Sequence, residues 1–216
     1  MATDVDRLYT PAWLALGNSY SSIGDHEQAQ SCYARIIRHI DDQCIPALVA
    51  MASEYLRVNK PLLASPYLSM AVAVEPDNPD VLNELGVMFY VRGDLKMALE
   101  AFHRGRAQLP DRWNPRRITI ESNILHTTAK LLIQDGRLAS LRELLATASS
   151  QDHHLDGLSA SLLRITSLLL PSQEATALRS RAINMLARRT PSNRFRPLLQ
   201  GVLGEQLGNN TPRHFT

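Results

Sequence analysis

The sequence predicts an all-α fold, a right-handed solenoid of stacked antiparallel helix pairs, on three observations. Small residues recur at a fixed interval: Ala52 and Gly86 lie 34 residues apart, as do Ala64 and Ala98, and a step of 35 back reaches Gly17 and Ala29. Bulky residues share the same register, with Tyr33, Leu68 and Phe102 in one column and Tyr20, Tyr55 and Phe89 in another, while Pro76 and Pro110 form a third. Leu, Ala and Arg are plentiful and aromatics make up only 6%, a composition that favours helix.

A period of about 34, with small residues at the eighth and twentieth places and an aromatic near the twenty-fourth, is the tetratricopeptide-repeat (TPR) pattern. Each repeat is two antiparallel helices packed so closely that one crossing point admits only Gly or Ala. In the first repeat, Thr10-Pro11 reads as an N-cap followed by Pro at the first helical position, as does Asn78-Pro79 in the third. Gly17 and Ala29 supply the first crossing, Ala52 and Ala64 the second, Gly86 and Ala98 the third. Trp13, Leu48 and Leu82 are expected to fill the space beside each crossing. Gly24-Asp25 and Gly93-Asp94 form the turns inside the outer two repeats, where Gly takes a left-handed helix end. Asn59-Lys60-Pro61 does the same in the middle repeat.

The expected organisation is three TPR repeats over residues 9–111, then a fourth, divergent helix pair over 112–150. In that pair "DRWNPRR" is a loop, a helix runs near 117–134, Asp135-Gly136 turns, and a second helix near 137–150 keeps Ala129, Leu141, Leu145 and Ala148 in approximate register. Residues 151–208 read as additional C-terminal helices punctuated by Pro171 and Pro191, and 209–216 as a flexible tail.

Charge is unevenly spread along the 216 residues. Residues 1–111 carry nine Lys and Arg against fourteen Asp and Glu, whereas 171–216 carry seven Arg against two Glu. The front is acidic and the end basic, so the overall +2 says nothing about partners. Cys32 and Cys44 are too few for a disulfide framework and lack metal spacing. The start "MATDVDRLY" is not a secretory signal, and the apolar run at "SLLLP" is too short to span a bilayer. A soluble, intracellular protein is the expectation.

No GxSxG, Gly-rich phosphate loop, HExxH or paired carboxylates occur, so no catalytic residue, cofactor or metal is expected. His153 and His154 between Asp152 and Asp156 suggest a metal, but neighbours on a helix diverge by about 100°, and a solvated turn is the expectation. Arg179, Arg181, Arg188, Arg189, Arg194 and Arg196 could meet phosphates, yet only Phe195 is available to stack. A solvated capping helix, or a face docking on an acidic neighbour, is expected there instead of nucleic-acid binding, and "LLRITSLLL" reads as core, not a membrane face.

The first helix of each repeat lines the concave side of such a superhelix. The register puts Leu14, Asn18 and Ser21 there, then Val49, Ser53 and Arg57, then Asn83, Val87 and Tyr90. Asn, Ser, Tyr and aliphatic groups suit an extended or helical peptide, with Asn18 and Asn83 on its backbone. Repeats that clamp acidic chaperone tails need cations at set groove positions, and here those places hold Leu14, Asp80 and Glu84, with only Asn18 fitting. An acidic tail would be repelled.

"YTPAWLALGNSY", "HEQAQSCY", "CIPALVAMASEY" and "AVEPDNPDVLNELGVMFY" follow one another with the wording and spacing of a particular TPR protein. They resemble the C-terminal repeats of subunit six of the anaphase-promoting complex (cyclosome), the cell-division-cycle sixteen family. Trp113 and "SNILH" at 122–126 resemble its next segment with a few residues inserted, so the likeness covers about residues 9–130. The resemblance implies a non-catalytic scaffold in a multi-subunit ubiquitin ligase of mitosis, located in nucleus and cytoplasm. Its implied partners are the other subunits of that complex, with the N-terminal segment of a small accessory subunit in the groove. The family protein is much longer and dimerises through N-terminal repeats, so this chain reads as starting in mid-superhelix, a shortened version or a fragment, with dimerisation through that surface in doubt. The rival reading is a free-standing TPR adaptor for an unrelated peptide. An enzyme survives only if helices after 135 gather His153, His154 and nearby Asp side chains in a pocket.

Overall fold

Proline and asparagine decide where the helices start. In the computed structural model, which describes residues 9–111, 114–137, 139–140 and 143–144, there are helices α1 (Thr10–Ser22), α2 (His26–His39), α3 (Ile45–Arg57), α4 (Pro61–Val74), α5 (Pro79–Arg92), α6 (Leu95–Ala107) and α7 (Pro115–Gln134). Pro stands in the first turn of α1, α3, α4, α5 and α7, where its missing N–H costs no helical bond. The Asn78 side-chain oxygen accepts from the Asp80 and Val81 amides at 2.9 and 3.3 Å, and that of Asn114 accepts from Arg116 at 2.9 Å. Asp25 caps α2 by accepting from the Gln28 amide at 3.2 Å. At α1 the structure departs from the expectation: Tyr9 is the N-cap, makes no side-chain cap bond, and leaves Thr10 inside the helix.

Between the helices of each pair the chain needs one left-handed residue. Gly24 (φ 81°) and Gly93 (φ 91°) provide it in the outer pairs, and Asn59 (φ 57°) takes the same conformation in the middle one. Each turn then closes with an amide bonded back into the preceding helix: Asp25 to Tyr20, Lys60 to Tyr55, and Asp94 to Phe89.

The packing follows the small–bulky rule. A Cβ added to Gly17 would lie 2.5 Å from a ring carbon of Tyr33, and one on Gly86 would overlap the Phe102 ring. In the middle pair the buried residue is the smaller Leu68, and Ala52 beside it keeps its methyl. Gly therefore accompanies an aromatic ring and Ala accompanies Leu. Helices α1 and α2, α3 and α4, and α5 and α6 pack as pairs, while α1, α3, α5 and α7 also touch in succession. The odd-numbered helices form one layer and the even-numbered ones back it, an all-α TPR superhelix with no strand among the described residues.

Trp13 fills its site in part, packing against the buried Ile36, Cys44 and Ala47. Leu48 and Leu82 are fully buried between successive helix pairs, whereas Trp13 on the first described helix is half-buried, with the Arg35 guanidinium 4.5 Å from the ring centre. The expectations for Trp113, for Leu141, Leu145 and Ala148, for His153 and His154, for the Arg-rich end and for the 209–216 tail lie outside the described residues. So does most of the second helix of the fourth pair.

Candidate functional site: the concave groove

The layer of odd-numbered helices encloses an open cavity of about 540 Å³. Helix α1 contributes Asn18 and Ser21, α3 contributes Ile45, Val49, Ala50, Ser53 and Arg57, and α5 contributes Asp80, Asn83 and Glu84. Arg116 closes one end from α7, and Glu75 and Asn78 stand at the α4–α5 turn. Of the nine residues that the register assigned to this face, Asn18, Ser21, Val49, Ser53, Arg57 and Asn83 line the cavity.

The remaining three do not line it. Leu14 packs against buried residues of α2 and α3, and Val87 against the core between α4, α5 and α6. Tyr90 turns towards α7, where its hydroxyl shares a 2.7 Å hydrogen bond with His126 Nε2 and Lys130 Nζ sits 4.1 Å from the ring centre. The cause is the same in each case: a neighbouring helix lies close enough to take the side chain out of the cavity.

Among the lining residues, several are already engaged. Asn83 Oδ1 accepts from Asn123 Nδ2 at 2.8 Å, and its own Nδ2 donates to Glu84 at 3.1 Å. Ser21 donates to Glu54 Oε1 at 2.6 Å and accepts from Arg57 at 2.8 Å. Asn18 Oδ1 accepts from the Tyr33 hydroxyl at 2.8 Å, so what Asn18 offers a ligand is its pair of Nδ2–H donors. Tyr33 reaches this point from the back layer, through the gap that Gly17 leaves. Burial, with the charge of Glu54 adding to it, pushes the Tyr33 phenol up to about 12 and keeps its proton in place.

Glu54 was not anticipated. Hydropathy puts a Glu on the surface, yet this one is 2% exposed and ties the first two repeats together. Its Oε2 pairs with His26 Nδ1 at 2.6 Å, its Oε1 accepts from Ser21, and Arg57 Nη1 lies 3.6 Å away. A buried carboxylate is tolerated only when so surrounded. Its one sequence signal was the "EY" word of the resemblance, Glu54-Tyr55.

The groove is acidic. Glu54, Glu75, Asp80 and Glu84 line it against Arg57 and Arg116, and Arg116 is itself paired with Asp80 at 3.3 Å. Burial raises the Glu84 carboxyl above its ordinary range, with Asp80 adding to it, while hydrogen bonds from Asn83 and Ser53 and the nearby Arg57 oppose the shift. Four carboxyl groups against two guanidinium groups in the lining oppose an acidic peptide tail. Hydroxyl, amide and carboxylate groups over an aliphatic floor of Ile45, Val49 and Ala50 suit a polypeptide segment. Among the described residues there is no group of three His, Cys, Asp or Glu arranged to hold a metal, and no helix is long and apolar enough to cross a membrane.

Comparison with known proteins places the chain beside one set of relatives. It is 30% identical over 138 residues to the cell division cycle protein 16 homolog of Homo sapiens, covering 60% of this chain and 22% of that protein. It is 31% identical over 134 residues to anaphase-promoting complex subunit 6 of Arabidopsis thaliana, covering 60% and 24%. The chain thus spans less than a quarter of the length of these curated relatives. Among solved structures it is similar to the anaphase-promoting complex hetero-tetramer Cut9–Hcn1, with a TM-score of 0.58 and 22% identity over 83% of this chain and 37% of that one. It is similar also to YrrB, a TPR protein with an unusual peptide-binding site, with a TM-score of 0.53 and 15% identity over 87% and 92%. No protein-family model matches. The structural likenesses show the TPR fold, and the sequence likenesses show the resemblance to the subunit-six proteins.

Proposed function

We propose that this chain, a homologue over about three-fifths of its length of the subunit-six proteins of the anaphase-promoting complex, is a non-catalytic TPR scaffold of that ubiquitin ligase. The observation that carries the reading is the sequence similarity at about 30% identity to subunits from both an animal and a plant. In this reading the chain acts in cell-cycle control, in nucleus and cytoplasm. It holds other subunits by its helical surfaces and a segment of a small accessory subunit in the groove, and needs no nucleic acid or membrane.

What the groove presents supports this reading. Its hydrogen-bonding groups are held by one another: Ser21, Arg57 and His26 surround Glu54, and Asn123 holds Asn83. A preorganised surface of this kind binds without having to order itself first. A relative's solved structure supports a protein partner as well, since Cut9 assembles there with Hcn1.

The test is affinity purification of the tagged full chain from its own mitotic cells, followed by mass spectrometry. A Ser53→Arg variant runs in parallel, because a long side chain at Ser53 fills the cavity and its guanidinium can meet Glu84. Ubiquitin-ligase subunits recovered with the wild type, and at least one of them lost with Ser53→Arg, are expected. Recovery of an unrelated peptide-bearing partner alone would replace this reading with that of a free-standing TPR adaptor.

A further inference from the structure

The three helix pairs allow an internal comparison at one point of the groove. The buried bulky residue of the back helix is Tyr33 in the first pair, Leu68 in the second and Phe102 in the third. The residue one place after the small crossing residue of the front helix is Asn18, Ser53 and Val87 respectively. Leu68 and Phe102 show that this column packs without a hydroxyl. Only the first pair carries a phenol, and only there does an amide stand in front of it.

The geometry points to Tyr33 as a positioning residue of the groove: its hydroxyl, donated to Asn18 Oδ1 at 2.8 Å, fixes the amide so that both Nδ2–H donors are presented to main-chain carbonyls of a bound polypeptide segment. Free to rotate, an exposed Asn side chain interchanges its oxygen and its NH2 and offers a ligand either one. With the Tyr33 O–H donated to it, Oδ1 is occupied, and the two Nδ2–H groups are left for the groove. Gly17 is what lets the ring reach, since a Cβ there would lie 2.5 Å from it. Tyr33 is itself 1% exposed and touches no ligand, so its effect passes through Asn18. Deprotonation would take away the donor, leave the oxygen an acceptor only and release the amide, and burial beside Glu54 holds that proton on.

This inference rests on the groove being a polypeptide site, and the experiment separates the two. The probe is the tightest dodecapeptide enriched from a random phage-displayed library on the wild-type full chain and competed away by Ser53→Arg. Its affinity is measured by fluorescence polarisation against Tyr33→Phe, Asn18→Ala and the double variant, with thermal melts alongside. Tyr33→Phe and Asn18→Ala should each weaken binding about fivefold to tenfold, and the double variant no further than Asn18→Ala alone. An unchanged affinity in Tyr33→Phe overturns the inference and leaves the groove reading standing. An equal loss from Tyr33→Phe with and without Asn18 also overturns it, because packing alone would act that way. A library that yields no groove-dependent peptide removes the groove reading and this inference together.

Discussion

Gly86 faces the Phe102 ring with no room for a methyl, while Ala52 in the same column faces Leu68 and has its methyl. The two columns therefore vary together, and the middle pair supplies the recipe for a compensated change. Gly86→Ala alone should destabilise by about 1–3 kcal/mol through overpacking. Phe102→Leu alone should cost about 1–2 kcal/mol for the lost ring contacts. Together they recreate the Ala52–Leu68 arrangement and should cost less than the sum of the two, as read from urea unfolding midpoints. Glu84 gives a second test at this scale. Its folded carboxyl titrates above the ordinary 4.5, so between those two values the native state holds a proton that the unfolded chain has lost. That contribution makes stability fall as pH rises upward from about 4.5. Glu84→Gln keeps an acceptor for Asn83 and Ser53 and removes the penalty. It should raise stability at pH 7 and leave it nearly unchanged at pH 4, measured by denaturant unfolding at both.

At the scale of the helix, the ends separate two similar words in the sequence. Thr10-Pro11 and Asn78-Pro79 look alike, but only Asn78 accepts amide bonds from the first turn. Asn78→Ala should cost about 1 kcal/mol and Thr10→Ala a few tenths at most, by thermal melts of the two variants. The crossings, the turns and the helix order were legible because each depends on residues a fixed distance apart in one repeat. The choice between Gly and Ala at a crossing was legible only as "small", since the ring size of its partner decides it. What depends on the neighbouring repeat was not legible. Asn83 meets Asn123 and Tyr90 meets His126 across 40 and 36 residues, at the junction where the period of 34 is lost after Pro110. Glu54 was missed because hydropathy reads a carboxylate as solvent-facing, and its burial depends on Ser21 and His26 of the preceding repeat.

For the whole molecule, the fold and the groove follow from residue-level rules, and the function proposed for them follows from kinship over part of the chain. The groove's character narrows the partner: an acidic lining over an aliphatic floor fits a polypeptide and disfavours the acidic tails that other TPR proteins clamp. Density-gradient sedimentation of the tagged full chain from mitotic cell extract, with wild type and Ser53→Arg run side by side, decides whether the chain is a ligase scaffold. The wild type should travel with a large assembly carrying ubiquitin-ligase activity, and filling the groove should deplete that assembly of at least one subunit. A wild-type chain that stays at the size of the free protein, apart from the ligase activity, would contradict the scaffold reading.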